Sequence, residues 1–343
     1  MAEVWLRDVA EAAGVSVSAA SHALKGTGNL AAGTRERIRA VAEELGYRRN
    51  PALSAIAARR WQAGGKRRYA RVGFISVIQS AERMKRAGGV DQEALMRSGR
   101  EYGMEIDGHT VVTSQSGLQS YIRKITRLGY DGLLLMNSDA EDWLSELEPT
   151  RLCVLGLNDL PNACPFHRME TDWGHAVREC YERLERAGCR RIGAALPKHN
   201  VRTAQERIRL GAYYSEAAGD GLAEVVPILE TSLGAAEEVQ STEMLAWYRR
   251  HRPDGIVFWL PNPVYGLMKS GIAIPGELQV ACINKSADPW YAPFGGVMAG
   301  ATPLAEEAAR LLFEMIVHRR QGRPRHPICH RLRMPWSPGE RSV

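Results

Sequence analysis

The apolar positions at the start of the chain recur with a helical period. Leu6, Val9, Ala10 and Ala13 lie at i, i+3, i+4 and i+7, which predicts one buried face of a helix. Gly14 follows, and a glycine just past the last turn commonly ends a helix. We therefore predict a short amphipathic helix that ends before Gly14.

Two further helices are predicted within the first fifty residues. Ser16 is a suitable N-cap for a helix over residues 17–24. After a glycine-rich loop, the spacing of Ile38, Val41 and Ala42 predicts a third helix. Two short helices joined by a tight, glycine-containing turn are typical of a helix-turn-helix unit, whose second helix enters the major groove of DNA.

Beyond residue 70, short apolar runs alternate with segments of helical spacing. The runs with strand character are 72–78, 133–136, 152–157, 192–196, 225–229, 256–260 and 280–283. This alternation predicts parallel sheets covered by helices, and the remaining length accommodates two such lobes. Because ligands of open α/β sheets lie beyond the carboxyl ends of the strands, two lobes would enclose a binding cleft.

The excess positive charge lies at the N-terminal end. The chain contains 45 Lys and Arg against 39 Asp and Glu, a net charge of +6. Residues 1–70 hold twelve basic and six acidic residues, so this segment carries the whole excess, and the remaining 33 basic and 33 acidic residues cancel. A basic, patterned module on a neutral body is typical of phosphate binding.

Several classes of protein are disfavoured. No apolar run reaches membrane-spanning length, and the first residues do not resemble a secretory signal, so we expect a cytoplasmic protein. The six cysteines form no CxxC pair, which favours reduced thiols. The cluster of His326, Cys329 and His330 lacks a second ligand pair at zinc spacing, so we expect neither a metal nor a cofactor. Without a GxSxG, P-loop, GxGxxG or HExxH motif, no enzyme is predicted.

Four N-terminal stretches resemble the lac repressor (LacI) family: 6–18 (LRDVAEAAGVSVS), 21–24 (SHAL), 34–38 (TRERI) and 44–51 (ELGYRRNP). The resemblance implies a homodimeric DNA-binding transcription regulator, of which repressors are the usual kind. The two-fold symmetry of such a dimer implies a pseudo-palindromic operator. The residues expected at DNA are Leu6, Ser16, Val17, Ser18, Ser21, His22, Lys25, Asn29, Thr34, Tyr47, Asn50, Ala55 and Ile56.

The N-terminal stretch departs from the family at three places. His22 stands where the family usually has an arginine that reads guanine. Ala19 and Ala20 replace a Thr-Val pair, and Ala31 replaces the serine that usually caps the third helix, at a cost of about 1 kcal/mol. The operator sequence therefore cannot be transferred from relatives.

Asn50 followed by Pro51 is a helix-start signal. The resemblance implies a short hinge helix that enters the minor groove as a dimeric pair, with Ile56 as the apolar wedge between base steps. The alternative is that Ile56 is an exposed linker residue. The stretch 59–68 is basic and glycine-containing, as expected of a flexible linker near phosphates. We divide the chain into a DNA-binding domain (1–49), a hinge and linker (50–70) and a core (71–343).

The core resembles, more weakly, the periplasmic-binding-protein-like cores of the same family, on the stretches 172–175, 190–192, 209–213, 253–257 and 271–280. This resemblance implies two lobes, of about 71–169 with 302–327 and about 170–300 with 328–343, so that the chain crosses near 170, 296–302 and 327. It also implies a small-molecule effector, such as a sugar, in the cleft. We expect the effector-binding residues to be Asp172, Arg209, Trp259, Asn262, Asn284 and Lys285.

The chemistry of the cleft stays open at this stage. Asp172 could instead cap a helix, Arg209 could be solvated, and Trp259 and Trp290 could fill the core. The family's carboxylate pair is replaced by Asn284 and Lys285. With Lys85, Arg86 and Arg209, Lys285 would favour an acidic or sulfated sugar. If these cations are solvated, a neutral sugar fits instead.

Two other functions remain: an architectural DNA-binding protein without an effector, and a sensor core with residual sugar-directed catalysis.

Overall fold

The structure is a computed structural model that divides into two compact units, Met1–Arg68 and Tyr69–Val343. It describes residues 6–16, 19–20, 23–24, 31–45, 69–79, 89–198, 203–219, 225–232 and 235–340.

The N-terminal unit has the predicted helical arrangement. Helix α1 (Leu6–Ala12) is followed by Gly14, whose φ of +60° is the left-handed conformation of a helix stop. The Ser16 hydroxyl accepts a hydrogen bond from the Ala19 N–H at 3.1 Å, which is the predicted N-cap. Residues 19–20 and 23–24, the described part of the predicted second helix, are helical, and α2 spans Ala32–Glu44. The buried side chains are Val9, Ala10, Ala13, Ala20, Ala23, Ile38 and Ala42.

The first lobe is built on a seven-stranded sheet in which every strand pairing is parallel. Its strands are β1 (Ala70–Val77), β2 (Met104–Ile106), β3 (Thr110–Val112), β4 (Gly132–Met136), β5 (Cys153–Leu157), β6 (His167–Thr171) and β12 (Cys329–Leu332). They lie in the order β12-β6-β5-β4-β1-β2, with β3 paired to β1. The helices of this lobe are α3 (Gln92–Glu101), α4 (Gln115–Arg127) and α9 (Ala301–Val317), and a 3-10 helix spans Glu141–Leu147.

The second lobe is a six-stranded sheet in the order β13-β11-β10-β9-β7-β8. Its strands are β7 (Ile192–Lys198), β8 (Leu229–Ser232), β9 (Gly255–Phe258), β10 (Gln279–Lys285), β11 (Gly296–Met298) and β13 (Trp336–Ser337). Only β13 runs antiparallel to its neighbour among the described pairings. The helices are α5 (Trp173–Arg186), α6 (Ala204–Ala218), α7 (Glu237–His251) and α8 (Pro261–Lys269), with a 3-10 helix at Pro289–Tyr291. The predicted fold class, a helical DNA-binding unit and two parallel-sheet lobes, is confirmed.

The third crossing between lobes lies later than the sequence suggested. We expected residues from 328 onward in the second lobe. Instead, β12 pairs with β6 from Cys329 to Leu332, so the chain leaves the first sheet only after Leu332. The strand was missed because His330 and Arg331 interrupt any apolar run. The strand predicted at 225–229 is likewise found later in the chain, as β8 (Leu229–Ser232), because polar residues interrupt the apolar run there as well.

A buried carboxylate fixes the crossing region. Glu170, at the end of β6, is 2% exposed and accepts hydrogen bonds from the Gln205 side chain on α6 and from Arg331 Nε on β12, the latter at 3.1 Å. These three residues belong to two crossing strands of the first lobe and to a helix of the second. We call this group the Glu170 clamp.

All six cysteines are free thiols. Among the described residues, no helix is long and apolar enough to cross a membrane. In the same part of the chain, no group of three or more His, Cys, Asp or Glu residues is arranged to hold a metal ion.

The missing cap of α2 gives a first prediction. Ala31 is the N-cap and offers no side-chain acceptor to the first turn. Ala31→Thr should stabilise α2 by about 1 kcal/mol, because the hydroxyl accepts from an otherwise unpaired N–H. Amide hydrogen exchange of α2, followed by mass spectrometry, should slow by about fivefold. The isosteric Ala31→Val is the control, and equal slowing in both variants would contradict the capping explanation.

The Glu170 clamp gives a second prediction. Glu170→Gln keeps the shape but removes the charge that Arg331 and Gln205 share, so the free energy of unfolding should fall by about 1.5–3 kcal/mol in urea titrations. The control is Glu148→Gln, which breaks the more exposed ion pair with Arg323 at 3.0 Å and should cost at most about 1 kcal/mol. Equal losses would mean that the buried clamp contributes no more than a surface pair.

Candidate functional site

Arg209 is the centre of the candidate site in the core. It lies on α6, is 3% exposed, and its guanidinium carbon is 4.6 Å from the ring centroid of Trp259 and 5.9 Å from that of Trp173. The two indole rings are 4.6 Å apart and tilted by 50°. A cation held over aromatic faces is a favourable contact, so Arg209, Trp173 and Trp259 form one group.

The chain topology explains why these residues meet. Trp259 directly follows β9, and Trp173 opens α5 just after β6, so both stand at carboxyl ends of parallel strands. Helix α6 begins with a capping box in which Thr203 and Glu206 bond each other's backbone. The capping box fixes the first turn of α6, and Arg209 follows one turn later.

Burial dominates the electrostatics of Arg209. Desolvation lowers the pKa of the guanidinium to about 10, while the carboxylates of Asp159 and Glu206 act in the opposite direction. Arg209 therefore remains charged at neutral pH. Its Nε atom is buried and has no hydrogen-bond partner in the described structure. A buried donor without a partner is costly, so this atom is available to a ligand oxygen.

Asp172 serves in part as the helix cap that the alternative interpretation assigned to it. Its Oδ1 accepts the His175 N–H at 3.0 Å at the start of α5. Its Oδ2 is 3.6 Å from Arg333 Nε, on the segment that crosses after β12. Both contacts hold the carboxylate at the junction of the lobes, one residue before Trp173.

Asn262 and Trp290 form a separate group near the surface. The Trp290 indole N–H donates to Asn262 Oδ1 at 2.9 Å, and its ring stacks on Tyr265 at 4.8 Å. Trp290 remains 46% exposed, so it is not the core residue that one interpretation suggested. Asn284 lies near the end of β10 and is half-buried.

Lys285 is held by the C-terminal segment. Its ammonium donates to the carbonyl oxygens of Pro338 at 2.6 Å and Ser337 at 3.5 Å, and the residue is 6% exposed. Desolvation lowers the pKa of this amine. The expected ligand cation is therefore engaged in a structural contact with β13 and the residue after it.

Most of the DNA-contact predictions lie outside the described residues: Val17, Ser18, Ser21, His22, Lys25, Asn29, Tyr47, Asn50, Ala55 and Ile56. The same holds for Lys85 and Arg86, and for the side chain of Leu6. Ser16 is exposed beside its capping contact, and Thr34 is partly buried in the first turn of α2. These two keep their predicted roles as predictions.

Sequence reasoning overlooked three residues of the site. Trp173 was passed over although it adjoins Asp172. No sequence motif marks Glu170 or Gln205, because their contact joins positions 35 residues apart. A signal for Gln205 was its spacing: it precedes Arg209 by four residues and therefore shares its helix face.

Comparison with known proteins gives two family matches. Residues 5–50 match the model described as "Bacterial regulatory proteins, lacI family", and residues 181–341 match "Periplasmic binding protein-like domain". The maltose regulon regulatory protein MalI of Escherichia coli (strain K12) is 48% identical over 54 residues. That alignment covers 16% of this chain and 16% of MalI, so the chain matches well under two thirds of this relative's length.

Solved structures match the whole fold. A complex of the transcriptional regulator CelR with cellobiose has a TM-score of 0.59 at 18% identity, and covers 98% of both chains. The lac repressor dimer bound to operator and the anti-inducer ONPF has a TM-score of 0.58 at 16% identity, also with 98% of both chains covered. At such identities the likeness concerns the fold, and these relatives are regulators rather than enzymes. The chain therefore carries a LacI-family N-terminal domain, matched over residues 5–50, followed by a periplasmic-binding-protein-like domain, matched over residues 181–341.

Proposed function

We propose that this protein is a homodimeric, effector-controlled transcription regulator that binds a pseudo-palindromic operator and senses a neutral carbohydrate in the cleft. The observation that carries the sensing role is the buried Arg209, whose guanidinium carbon lies over Trp259 and whose Nε has no hydrogen-bond partner in the described structure. Repression is the direction of control that we propose.

The DNA-binding role rests on the N-terminal unit. Ser16 caps the helix that follows the turn, so the backbone geometry suits a helix-turn-helix reader. We assign base and phosphate contacts to the polar residues of that helix, including Ser21, His22 and Lys25. The segment that begins at Asn50 is proposed as a hinge helix, with Ala55 and Ile56 at the minor groove.

A neutral sugar fits the core better than an acidic one. Lys285 is bonded to backbone carbonyls, and the charge of Arg209 is opposed by Asp159 and Glu206. The site therefore offers hydrogen-bonding groups and aromatic faces without a free excess of positive charge. Ligand pockets commonly combine such apolar, aromatic walls with a few polar groups that fix orientation. The cellobiose complex of CelR, which shares this fold, is consistent with that choice.

Control requires that the effector bind two arrangements of the lobes with different affinity. Arg209 and Trp259 belong to the second lobe, whereas Asp159 follows β5 of the first lobe. A ligand oxygen bound to Arg209 would lie near groups from both lobes. It would therefore favour one lobe arrangement over another.

The reading of bases by His22 can be tested on an operator found by in vitro selection. His22→Ala should weaken binding by about 1–3 kcal/mol at one base pair of each half-site and leave other positions unchanged. Lys25→Gln is the comparison: loss of a phosphate contact should weaken binding to all sequences and reduce the salt slope by about 1. A uniform loss for His22→Ala would assign His22 to phosphate instead.

The effector can be tested by melting the full chain with neutral, uronic and sulfated sugars. A neutral sugar at about a hundred times its dissociation constant should add about 2.7 kcal/mol of stability. Arg209→Gln should abolish this ligand-induced increase. The control, Arg207→Gln on the exposed face of the same helix, should retain it.

The other outcomes separate the alternatives. A response to acidic sugars alone would overturn the neutral assignment, and a response that survives Arg209→Gln would remove Arg209 from the site. If no small molecule changes the melting temperature, the architectural DNA-binding alternative is favoured. Turnover of any bound sugar, measured by product analysis, would support residual catalysis.

A further inference from the structure

A second concentration of positive charge lies in the core, although the core as a whole is neutral. Between positions 318 and 333 the sequence contains six arginines and three histidines, with no Asp or Glu. The segment follows α9 and runs through β12. Positive charge is thus segregated in one stretch of the first lobe.

Three of these arginines have carboxylate partners. Arg323 pairs with Glu148, Arg331 with Glu170, and Arg333 with Asp172. The other three, Arg319, Arg320 and Arg325, are exposed, and no ion pair is found for them among the described residues. We call Arg319, Arg320 and Arg325 the arginine strip.

The backbone that carries the arginine strip is fixed. The Arg320 N–H donates to Met315 O at 2.9 Å, and the Gly322 N–H donates to Leu152 O at 2.9 Å. Gly322 has a φ of +68°, and a Cβ there would lie 3.2 Å from the carbonyl oxygens of Glu148 and Thr150. The backbone of the strip is therefore held against the start of β5, so a ligand would have to order only the arginine side chains.

An open pocket of about 380 Å³ adjoins the strip. Arg168 and Arg323 line it together with Asn162, Phe166 and Ile328. Its geometry is fixed by the Arg168 N–H, which donates to Ile328 O at 2.9 Å, and by the Ile328 N–H, which donates to His167 Nδ1 at 3.1 Å. Arginine forks on a preorganised backbone match the geometry of phosphate oxygens.

The strip and pocket lie at a defined edge of the first sheet. Both stand at the amino ends of β6 and β12, opposite the carboxyl ends that face the candidate effector site. Because every pairing in this sheet is parallel, Tyr69, where the core begins, precedes β1 at the same edge. Four strand spacings separate β1 from β12, which is about 19 Å. The chain therefore enters the core at the edge that carries the cations.

We propose that the arginine strip and the Arg168 pocket bind the phosphate backbone of duplex DNA, outside the base pairs that the N-terminal unit reads. The inference rests on the proposed DNA-binding function. A polyanion fits better than a small anion, because the strip arginines are exposed along the surface and Arg323 is already paired with Glu148. Such contacts would add affinity without sequence preference.

The test measures the salt dependence of binding by the full chain to a fluorescein-labelled 40-base-pair duplex of random sequence. Each lost phosphate contact should lower the slope of log affinity against log salt by about 0.9. The triple variant Arg319→Gln, Arg320→Gln, Arg325→Gln should lose up to about 2.7 of that slope. The ratio of the parent's affinity to the variant's affinity should then shrink by about 40-fold between 50 and 200 mM salt.

The matched control is Arg190→Gln, Arg249→Gln, Arg250→Gln, which removes the same charge from exposed positions of the second lobe. Its slope should equal that of the parent. Melting curves of both variants check that folding is retained. A second strip variant, Arg325→Gln alone, should lose about one third of the full effect and is the least demanding on folding.

Three results would overturn the inference. Equal slopes for the strip variant and the parent would exclude phosphate contacts, and equal losses in strip and control variants would show a general charge effect. The third result combines two measurements. If inorganic phosphate raises the melting temperature of the parent but not of the strip variant, and both proteins show the same slope of log DNA affinity against log salt, the site binds a small anion instead of DNA. Failure of the parent to bind any duplex would instead refute the proposed function itself.

Discussion

The arrangement of the core depends on one buried carboxylate. Glu170 accepts hydrogen bonds from Gln205 and Arg331, and so joins β6, β12 and the first turn of α6 at the place where the lobes meet. Gln205 and Arg209 lie four residues apart on α6 and share a helix face. The residue that offers an unpaired donor to a ligand is therefore one turn from the residue that holds the clamp. A ligand that draws Arg209 toward the first lobe would therefore act on the same helix whose Gln205 donates to Glu170.

The fold was predictable where local signals were strong. Gly14 and Ser16 define the turn of the N-terminal unit, and uninterrupted apolar runs predicted β1, β4 and β5, since these strands are buried on both faces. Strands β6 and β12 were missed because His167, Arg168 and Arg331 break their apolar pattern. A linear pattern does not show why these polar residues are there: β12 is the edge strand of the sheet, β6 is its neighbour, and together they hold the clamp and the pocket.

The chemistry of the candidate site was less predictable than its position. Arg209 and Trp259 were expected near the ligand, and the structure brings them within 4.6 Å of each other. Lys285, in contrast, was expected to favour an anionic ligand, yet its ammonium bonds to carbonyl oxygens some fifty positions later in the chain. A charge that follows a strand has the same sequence signature whether it faces a cleft or a distant backbone segment. Only the tertiary fold distinguishes the two, because the partner is a main-chain oxygen with no side-chain signal.

Strands β6 and β12 connect the two functional edges of the first lobe. Their pairing runs from the Arg168 N–H bonded to Ile328 O, beside the pocket, to the Asp172 N–H bonded to Leu332 O, beside the clamp. A strand rises about 3.3 Å per residue, so the two edges are only about 13 Å apart along β6. At one end, β6 is bonded to the second lobe through Glu170 and Gln205, and β12 is bonded to β6 through Arg331. At the other end, both strands reach the surface where the cations lie. A rearrangement of the clamp therefore acts on the same two strands that carry the pocket. This short connection, rather than a long path through the core, is the physical link by which cleft occupancy would reach the edge that carries the arginine strip.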